Sequence, residues 1–155
     1  MKKIALACAV AFIMIAMPKI LLAQSKPLLN HIAVYVKDLK VSTAFYSNVV
    51  DLDTIPEPFH DGKHTWYGVS AYSHLHLIQG AKEVSKKDKN SHLCFSVPSI
   101  EEVITRLNKH KIPYESWTGE KMNVTTRVDG IKQLYFTDPD GYWIEINNDY
   151  PINIK

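Results

Sequence analysis

The sequence contains little cysteine: two residues in 155, Cys8 and Cys94. Cys8 lies in an N-terminal apolar run that we expect to be removed, so one cysteine remains in the folded body. An exported chain leaves the reducing cytosol, so a disulfide could persist there. A single cysteine nevertheless excludes an intramolecular disulfide. We therefore expect Cys94, which falls in a predicted strand, to be a small packed thiol rather than a reactive nucleophile.

Neither sign of charge is in large excess, since Lys plus Arg is 18, Asp plus Glu is 16 and the formal net charge is +2. Lys2, Lys3 and Lys19 belong to the N-terminal leader, and without them the balance is 15 against 16, or −1. The body therefore has no bulk positive field for nucleic acid, and no nucleic-acid partner is expected. With 46% apolar and 22% charged residues and no low-complexity linker, the composition is that of a globular domain.

The N-terminus has the pattern of a secretory signal. Two lysines precede an apolar run of 14 residues, 4–17, and Pro18-Lys19 then breaks the run. We expect residues 1–23 to be a signal peptide cleaved after Ala23, which predicts an exported protein, periplasmic or secreted, without stable membrane insertion. The alternative is an uncleaved anchor, because residues 4–23 span 20 positions, about enough to cross a bilayer.

An internal repeat organises the rest of the chain. Residues 31–39 resemble residues 92–100 at an offset of 61. Each copy has a histidine, a β-rich run that ends in valine, a residue that can cap a helix, and an aliphatic residue. Asp38 takes the cap position in the first copy, and Ser99 with Glu102 forms a candidate capping box in the second.

Strand-like material follows each predicted helix, and turn signals such as Asp-Pro-Asp-Gly at 138–141 separate the strands. The predicted strands are 53–59, 64–70 and 73–79 in the first half, and 114–117, 131–137 and 142–147 in the second. Both halves thus read strand-helix-strand-strand-strand. We predict a single α+β domain at 28–150, with module 1 at about 28–80 and module 2 at about 90–150.

The predicted strands each have one aliphatic face, which we expect to pack on the helices. The opposite faces are small or polar, and a curved sheet would bring them around a polar cavity. His31, His76, His92 and Glu145 would converge there, with His74 on the same face as a competitor of His76. Histidine and carboxylate suit a divalent transition metal such as Zn, Ni, Fe, Co or Mn.

The sequence resembles the vicinal oxygen chelate superfamily, which includes glyoxalase I, fosfomycin-resistance and bleomycin-resistance proteins and extradiol dioxygenases. The most specific piece is the Asp-Pro-Asp-Gly turn with Glu145 four residues after its glycine. The matching segments are 30–39, 45–46, 74–79, 92–95 and 135–146. The resemblance implies two βαβββ modules that form a U-shaped mixed sheet around a metal-binding cavity.

By this resemblance the metal positions fall on His31, His76, His92 and Glu145, and Glu145 and His76 are the catalytic candidates. Glyoxalase I usually has glutamate at the position of His76, which argues against its glutathione-dependent reaction. The implied function is that of a glyoxalase-like enzyme, a metal-dependent lyase, isomerase, thiol transferase or dioxygenase that chelates two neighbouring oxygens of a small-molecule substrate.

Two alternatives accompany this interpretation. The first is a metal-free small-molecule binding protein of the bleomycin-resistance type.

The second alternative concerns assembly, because small members of the superfamily often pair modules from two chains. In a homodimer His31 and His76 of one chain would meet His92 and Glu145 of the other, whereas the sequence equally permits all four ligands to come from one chain.

Overall fold

The computed structural model describes residues 26–151. The signal peptide expected at 1–23 lies outside this range. Between residues 26 and 151, no helix has the length and apolar character that a membrane span requires.

Module 1 has the predicted order of strand, helix and three strands. Its elements are β1 (His31–Val36), α1 (Leu39–Phe45), β2 (Thr54–Ile55), β3 (His64–Gly68) and β4 (His74–Gln79). They form a four-stranded sheet in the order β1-β4-β3-β2. β1 runs parallel to β4, and the other pairs are antiparallel, so the sheet is mixed.

Module 2 repeats the same topology. Its elements are β5 (His92–Ser96), α2 (Ile100–Lys109), β6 (Thr125–Thr126), β7 (Lys132–Thr137) and β8 (Trp143–Asn147). The sheet order is β5-β8-β7-β6, again with the first pair parallel and the others antiparallel. The predicted α+β class and the two βαβββ modules are confirmed, and each module has a separate four-stranded sheet.

The predicted caps begin both helices. The Asp38 carboxylate accepts a hydrogen bond from the backbone N–H of Val41 at 3.1 Å, and the Ser99 hydroxyl accepts one from Glu102 at 3.2 Å. These bonds satisfy N–H groups that have no partner within the helix. After α1 the chain continues as a π-helical turn, Tyr46–Val50. Its wider spacing explains why the apolar stripe here is less regular than in α2.

The predicted strand at 114–117 is wrong as a continuous strand. Glu115 exchanges two backbone hydrogen bonds with Tyr135, at 2.8 and 2.9 Å, and then the chain turns. Gly119, at φ +88°, lies in that turn, which returns the chain so that Met122 N–H donates to Tyr114 at 2.8 Å. The short strand β6 follows only after this loop.

One hydrophobic core joins the two modules. It contains the aliphatic faces of both sheets, for example Val34 and Leu77 in module 1 and Leu134 and Ile144 in module 2. The predicted packing of these faces against the helices is confirmed. Because burial of apolar surface commits one face of each sheet to the core, the polar faces lie outside it.

The Asp-Pro-Asp-Gly turn of module 2 is tied to the start of module 1. Asp140 accepts hydrogen bonds from the Lys37 N–H at 2.7 Å and from the Ser42 hydroxyl at 2.6 Å. Asp138 accepts one from the Tyr46 hydroxyl at 2.9 Å. Burial raises the pKa of Asp138 to about 6, although its hydrogen bonds act in the opposite direction. The turn therefore holds the two modules together through buried carboxylates.

Candidate functional site

The first half of the site lies on the polar face of module 1. In the parallel register of β1 and β4, Ala33 lies opposite His76 and His31 lies opposite His74. Alternation along the strands places these histidines on one face. The rings of His31 and His76 are stacked, with centroids 4.3 Å apart and planes within 10°. The predicted ligands His31 and His76 therefore form a pair.

His76 is packed between two rings. On the side away from His31 lies the indole of Trp66, with centroids 3.9 Å apart and planes within 3°. His76 is only 7% exposed, and its Nε2 atom is buried without a hydrogen-bond partner among the described residues. Burial, together with the nearby His31, His74 and His64, lowers the pKa of His76. An uncharged imidazole with a free ring nitrogen is suited to ligate a metal.

His74, the competing candidate, shares the face but lies farther out. Its ring centroid is 6.0 Å from that of His76 and 6.4 Å from that of Trp66. The closer approach of His31 to His76 favours these two as the ligand pair of module 1.

The second half of the site lies on the polar face of module 2. β5 and β8 are parallel neighbours, with Cys94 opposite Glu145 and His92 opposite Trp143. The Nε2 atom of His92 lies 3.2 Å from Oε2 of Glu145. The predicted ligands His92 and Glu145 therefore form the other pair.

Glu145 is held by a network of donors. The Tyr135 hydroxyl donates to Oε2 at 2.6 Å, and the Asn147 amide donates to Oε1 at 3.0 Å. The Cys94 thiol donates to Oε1 at 3.4 Å. Burial acts to raise the pKa of Glu145, but these hydrogen bonds outweigh it and keep the pKa below its ordinary value. The network fixes the orientation of an ionised carboxylate.

The contacts of His92 test whether a metal fits this half of the site. Its Nδ1 atom lies 2.7 Å from the backbone carbonyl of Lys89. A carbonyl only accepts, so Nδ1 donates to it and Nε2 faces Glu145. An imidazole nitrogen and a carboxylate oxygen 3.2 Å apart are held together by a proton on the nitrogen or by a cation that both ligate. Two ligands of a tetrahedral zinc ion are about 3.3 Å apart, so the donor set fits.

The Lys89 side chain supports this arrangement. It is paired with Glu115, and its Nζ donates to the carbonyls of Ser116 and Trp117, both at 3.3 Å. Because the Lys89 carbonyl holds His92, these contacts fix the loop that orients the imidazole.

Sequence reasoning missed two residues of the site, Asn147 and Cys94. Alternation from Glu145 and His92 places them on the polar face of module 2, so the signal was present. The expectation that Cys94 is a packed thiol is wrong, because it is exposed on the site face. Burial of its sulfur and the neighbouring Glu145 raise its pKa to about 12, which agrees with the expected lack of nucleophilic reactivity.

Within residues 26–151 of one chain, no three His, Cys, Asp or Glu side chains are grouped as a metal site. A single chain presents the four predicted ligands as two pairs, one on each module. Both pairs lie on faces that the shared core leaves free. The edge strands β1 and β5, which carry His31 and His92, each have one neighbour within their sheets.

Two βαβββ modules, each a mixed four-stranded sheet with one polar face, define the fold class of this chain. The sequence profile of the Glyoxalase/Bleomycin resistance protein/Dioxygenase superfamily matches residues 28–146. The chain belongs to this superfamily, as its sequence motifs predict.

The relatives differ in their assigned activities. An uncharacterized protein of Escherichia coli K12, YaeR, is 27% identical over 128 residues, covering 76% of this chain and 92% of its own. The lactoylglutathione lyase of Pseudomonas putida is 25% identical over 157 residues, covering 79% and 86% respectively. The crystal structure of a glyoxalase/dioxygenase from Nostoc punctiforme superposes with a TM-score of 0.64 at 25% identity, covering 85% of this chain and 97% of that one.

Proposed function

We propose that this protein is an exported, metal-dependent enzyme of the glyoxalase type that acts on a small substrate with two neighbouring oxygens. The observation that carries the proposal is the pairing of His92 with Glu145, whose Nε2 and Oε2 atoms lie 3.2 Å apart on the polar face of module 2. The unpartnered, buried Nε2 of His76 supports it from the other module. A divalent transition metal (Zn, Ni, Fe, Co or Mn) would satisfy both pairs.

The complete site in this proposal belongs to a homodimer. His31 and His76 of one chain join His92 and Glu145 of a second chain, because each chain presents the two pairs separately. The exposed side chains of β1 support the association, since Ile32 is 40% and Tyr35 is 52% exposed. An edge strand with exposed apolar side chains is a surface that a second copy can cover.

When bound, the metal supplies Lewis-acid polarisation of two neighbouring substrate oxygens. The protein side chains would hold the metal, orient its carboxylate ligand and accept the proton. His31, His76, His92 and Glu145 hold the ion, and Tyr135 and Asn147 hold the carboxylate of Glu145 in one orientation. A proton released from the substrate would be accepted at a carboxylate oxygen of Glu145, or at Nε2 of His76 once the substrate displaces that nitrogen from the metal.

A mixing experiment tests both the metal and its shared site. One variant combines His31→Ala with His76→Ala, and the other combines His92→Ala with Glu145→Ala. Wild type should hold about one zinc per chain, and each variant alone should hold almost none. After the two variants are unfolded and refolded together, half of the dimers are mixed and each has one intact site, so about one zinc per four chains should return.

The outcomes separate the alternatives. No recovery with a zinc-binding wild type would show that the four ligands come from one chain. A wild type that remains metal-free after reconstitution would favour the metal-free binding protein.

Mass spectrometry of the exported protein tests the predicted signal peptide. Cleavage after Ala23 predicts a mature chain that begins at Gln24.

Lactoylglutathione lyase activity is the second candidate, favoured by the Pseudomonas putida relative. We expect little of it, because an imidazole at position 76 is a weaker base toward a carbon acid than the usual carboxylate. The metal-loaded protein should turn over preformed methylglyoxal–glutathione hemithioacetal far below about 10 per second, an ordinary enzyme rate. Turnover at that rate would make this the function.

A further inference from the structure

Among residues 26–151, two buried side-chain nitrogen or oxygen atoms lack a hydrogen-bond partner: Nε1 of Trp66 and Nε2 of His76. They belong to two rings stacked at 3.9 Å. Buried polar atoms are nearly always paired in folded proteins, so two unpaired atoms in one stack indicate a place that a ligand completes. In the proposed function a metal accounts for His76 and leaves Trp66 unexplained.

The chemistry of the indole restricts its partner. An indole N–H only donates, and it does not coordinate a metal ion, so its partner must be an acceptor. The neighbouring side chains on the face, His74 and His31, are not hydrogen-bonded to it. Next to a metal ligand, the acceptor that the proposed chemistry brings is an oxygen of the substrate.

An exposed aromatic side chain packs against the indole. Phe59 lies on the loop between β2 and β3, is 60% exposed, and meets Trp66 nearly edge-on with ring centroids 5.9 Å apart. An exposed aromatic side chain on a loop can rotate away with little loss of buried contact. The indole N–H can therefore become accessible without a change in either sheet.

We propose that Trp66 is a substrate-binding residue whose indole N–H donates a hydrogen bond to an oxygen of the substrate. This inference rests on the proposed function. It assigns Trp66 a role in binding and orientation, since the rigid stack on His76 fixes the N–H relative to a metal ligand. Substrates with an acceptor oxygen near the chelating pair are selected over analogues that lack it.

The test uses Trp66→Phe, which keeps an aromatic ring on His76 and removes the donor. The probe is 4-nitrocatechol, a coloured compound with two neighbouring oxygens, titrated into zinc-loaded protein and followed by absorbance. The variant should bind the probe about tenfold more weakly. Zinc affinity, measured by competition with a chromogenic chelator, should stay within about threefold of wild type.

Trp143→Phe is the matched control. Its indole already donates to the carbonyl of Lys87 at 3.1 Å, so it has no free hydrogen for a ligand. The control should bind the probe as wild type does. Circular dichroism melts verify that both variants are folded.

The outcomes are distinct. Wild-type probe affinity in Trp66→Phe, with zinc affinity retained, would overturn the role of Trp66 and leave the proposed function standing. Failure of the wild-type protein to bind zinc would overturn both. If Trp66→Phe loses its fold or its zinc, the Phe59→Ala variant tests whether the indole N–H of Trp66 binds the probe. That variant uncovers the indole without removing its donor, so it should bind the probe at least as tightly as wild type, and weaker binding would count against the proposal.

Discussion

At the scale of single residues, the contrast between His76 and His74 is the sharpest feature of the site. His76 is buried between two rings with its Nε2 unpartnered, whereas His74 lies 6.0 Å away on the same face. We expect His76→Ala to weaken zinc binding by one to two orders of magnitude without unfolding the protein, because it removes a ligand. His74→Ala should leave zinc affinity nearly unchanged. Chelator competition on both variants makes the comparison, and equal losses would reassign the ligand.

Tyr135 acts on the metal through Glu145. Its hydroxyl donates to Oε2 at 2.6 Å and so restricts the carboxylate to one orientation. Tyr135→Phe should weaken zinc binding by about tenfold, since groups that orient a ligand typically contribute this much. Tyr114→Phe is the control, because Tyr114 is also a buried tyrosine and is not among the hydrogen-bond donors to Glu145. A Tyr135→Phe protein with the zinc affinity of the Tyr114→Phe control would show that the carboxylate is oriented by other donors.

At the scale of elements, the turn at 138–141 gives the protein a pH-dependent stability. The folded-state pKa of Asp138, about 6, lies above the ordinary 3.8. The folded protein therefore binds this proton more tightly than the unfolded chain does. The stabilisation by this proton is fully present below about pH 4 and is lost as the pH rises through about 6, a loss on the order of 3 kcal/mol.

Asp138→Asn should remove this part of the pH dependence. The amide is never ionised, so the stability difference between variant and wild type should shift in favour of the variant between pH 4 and pH 7. Urea unfolding at several pH values measures it. Asp53→Asn, at an exposed acid, should follow the wild-type curve. If the Asp138→Asn curve also runs parallel to wild type, the pKa of Asp138 is not raised in the folded protein.

The local sequence predicts some helices and loops of this protein better than others. α2 has a regular apolar stripe and a serine cap, and the chain folds there as its local sequence indicates. The π-helical turn Tyr46–Val50 and the loop after Glu115 depend on contacts with distant residues, such as the bond from Tyr46 to Asp138. Local propensity contains no information on such contacts, so periodicity predicted neither of them.

At the scale of the whole molecule, metal binding and dimerisation are one equilibrium in the proposed arrangement. A metal held by two chains favours their association, and association favours the metal, by the same factor. We expect removal of zinc with EDTA to weaken the dimer at least about tenfold. Sedimentation equilibrium at micromolar concentration, with and without zinc, measures the change. A zinc-loaded monomer would exclude a site shared between chains.

The sequence by itself determined the repeat and the two βαβββ modules. It also determined that four residues lie on the polar faces of their strands: His31, His76, His92 and Glu145. These follow from strand alternation, caps and turns, which act over a few residues. Only the tertiary structure decided how the four are grouped, which stack covers His76 and which donors hold Glu145. Burying the aliphatic faces of both sheets in one core sets the position of each polar face, and that packing depends on residues far apart in the chain.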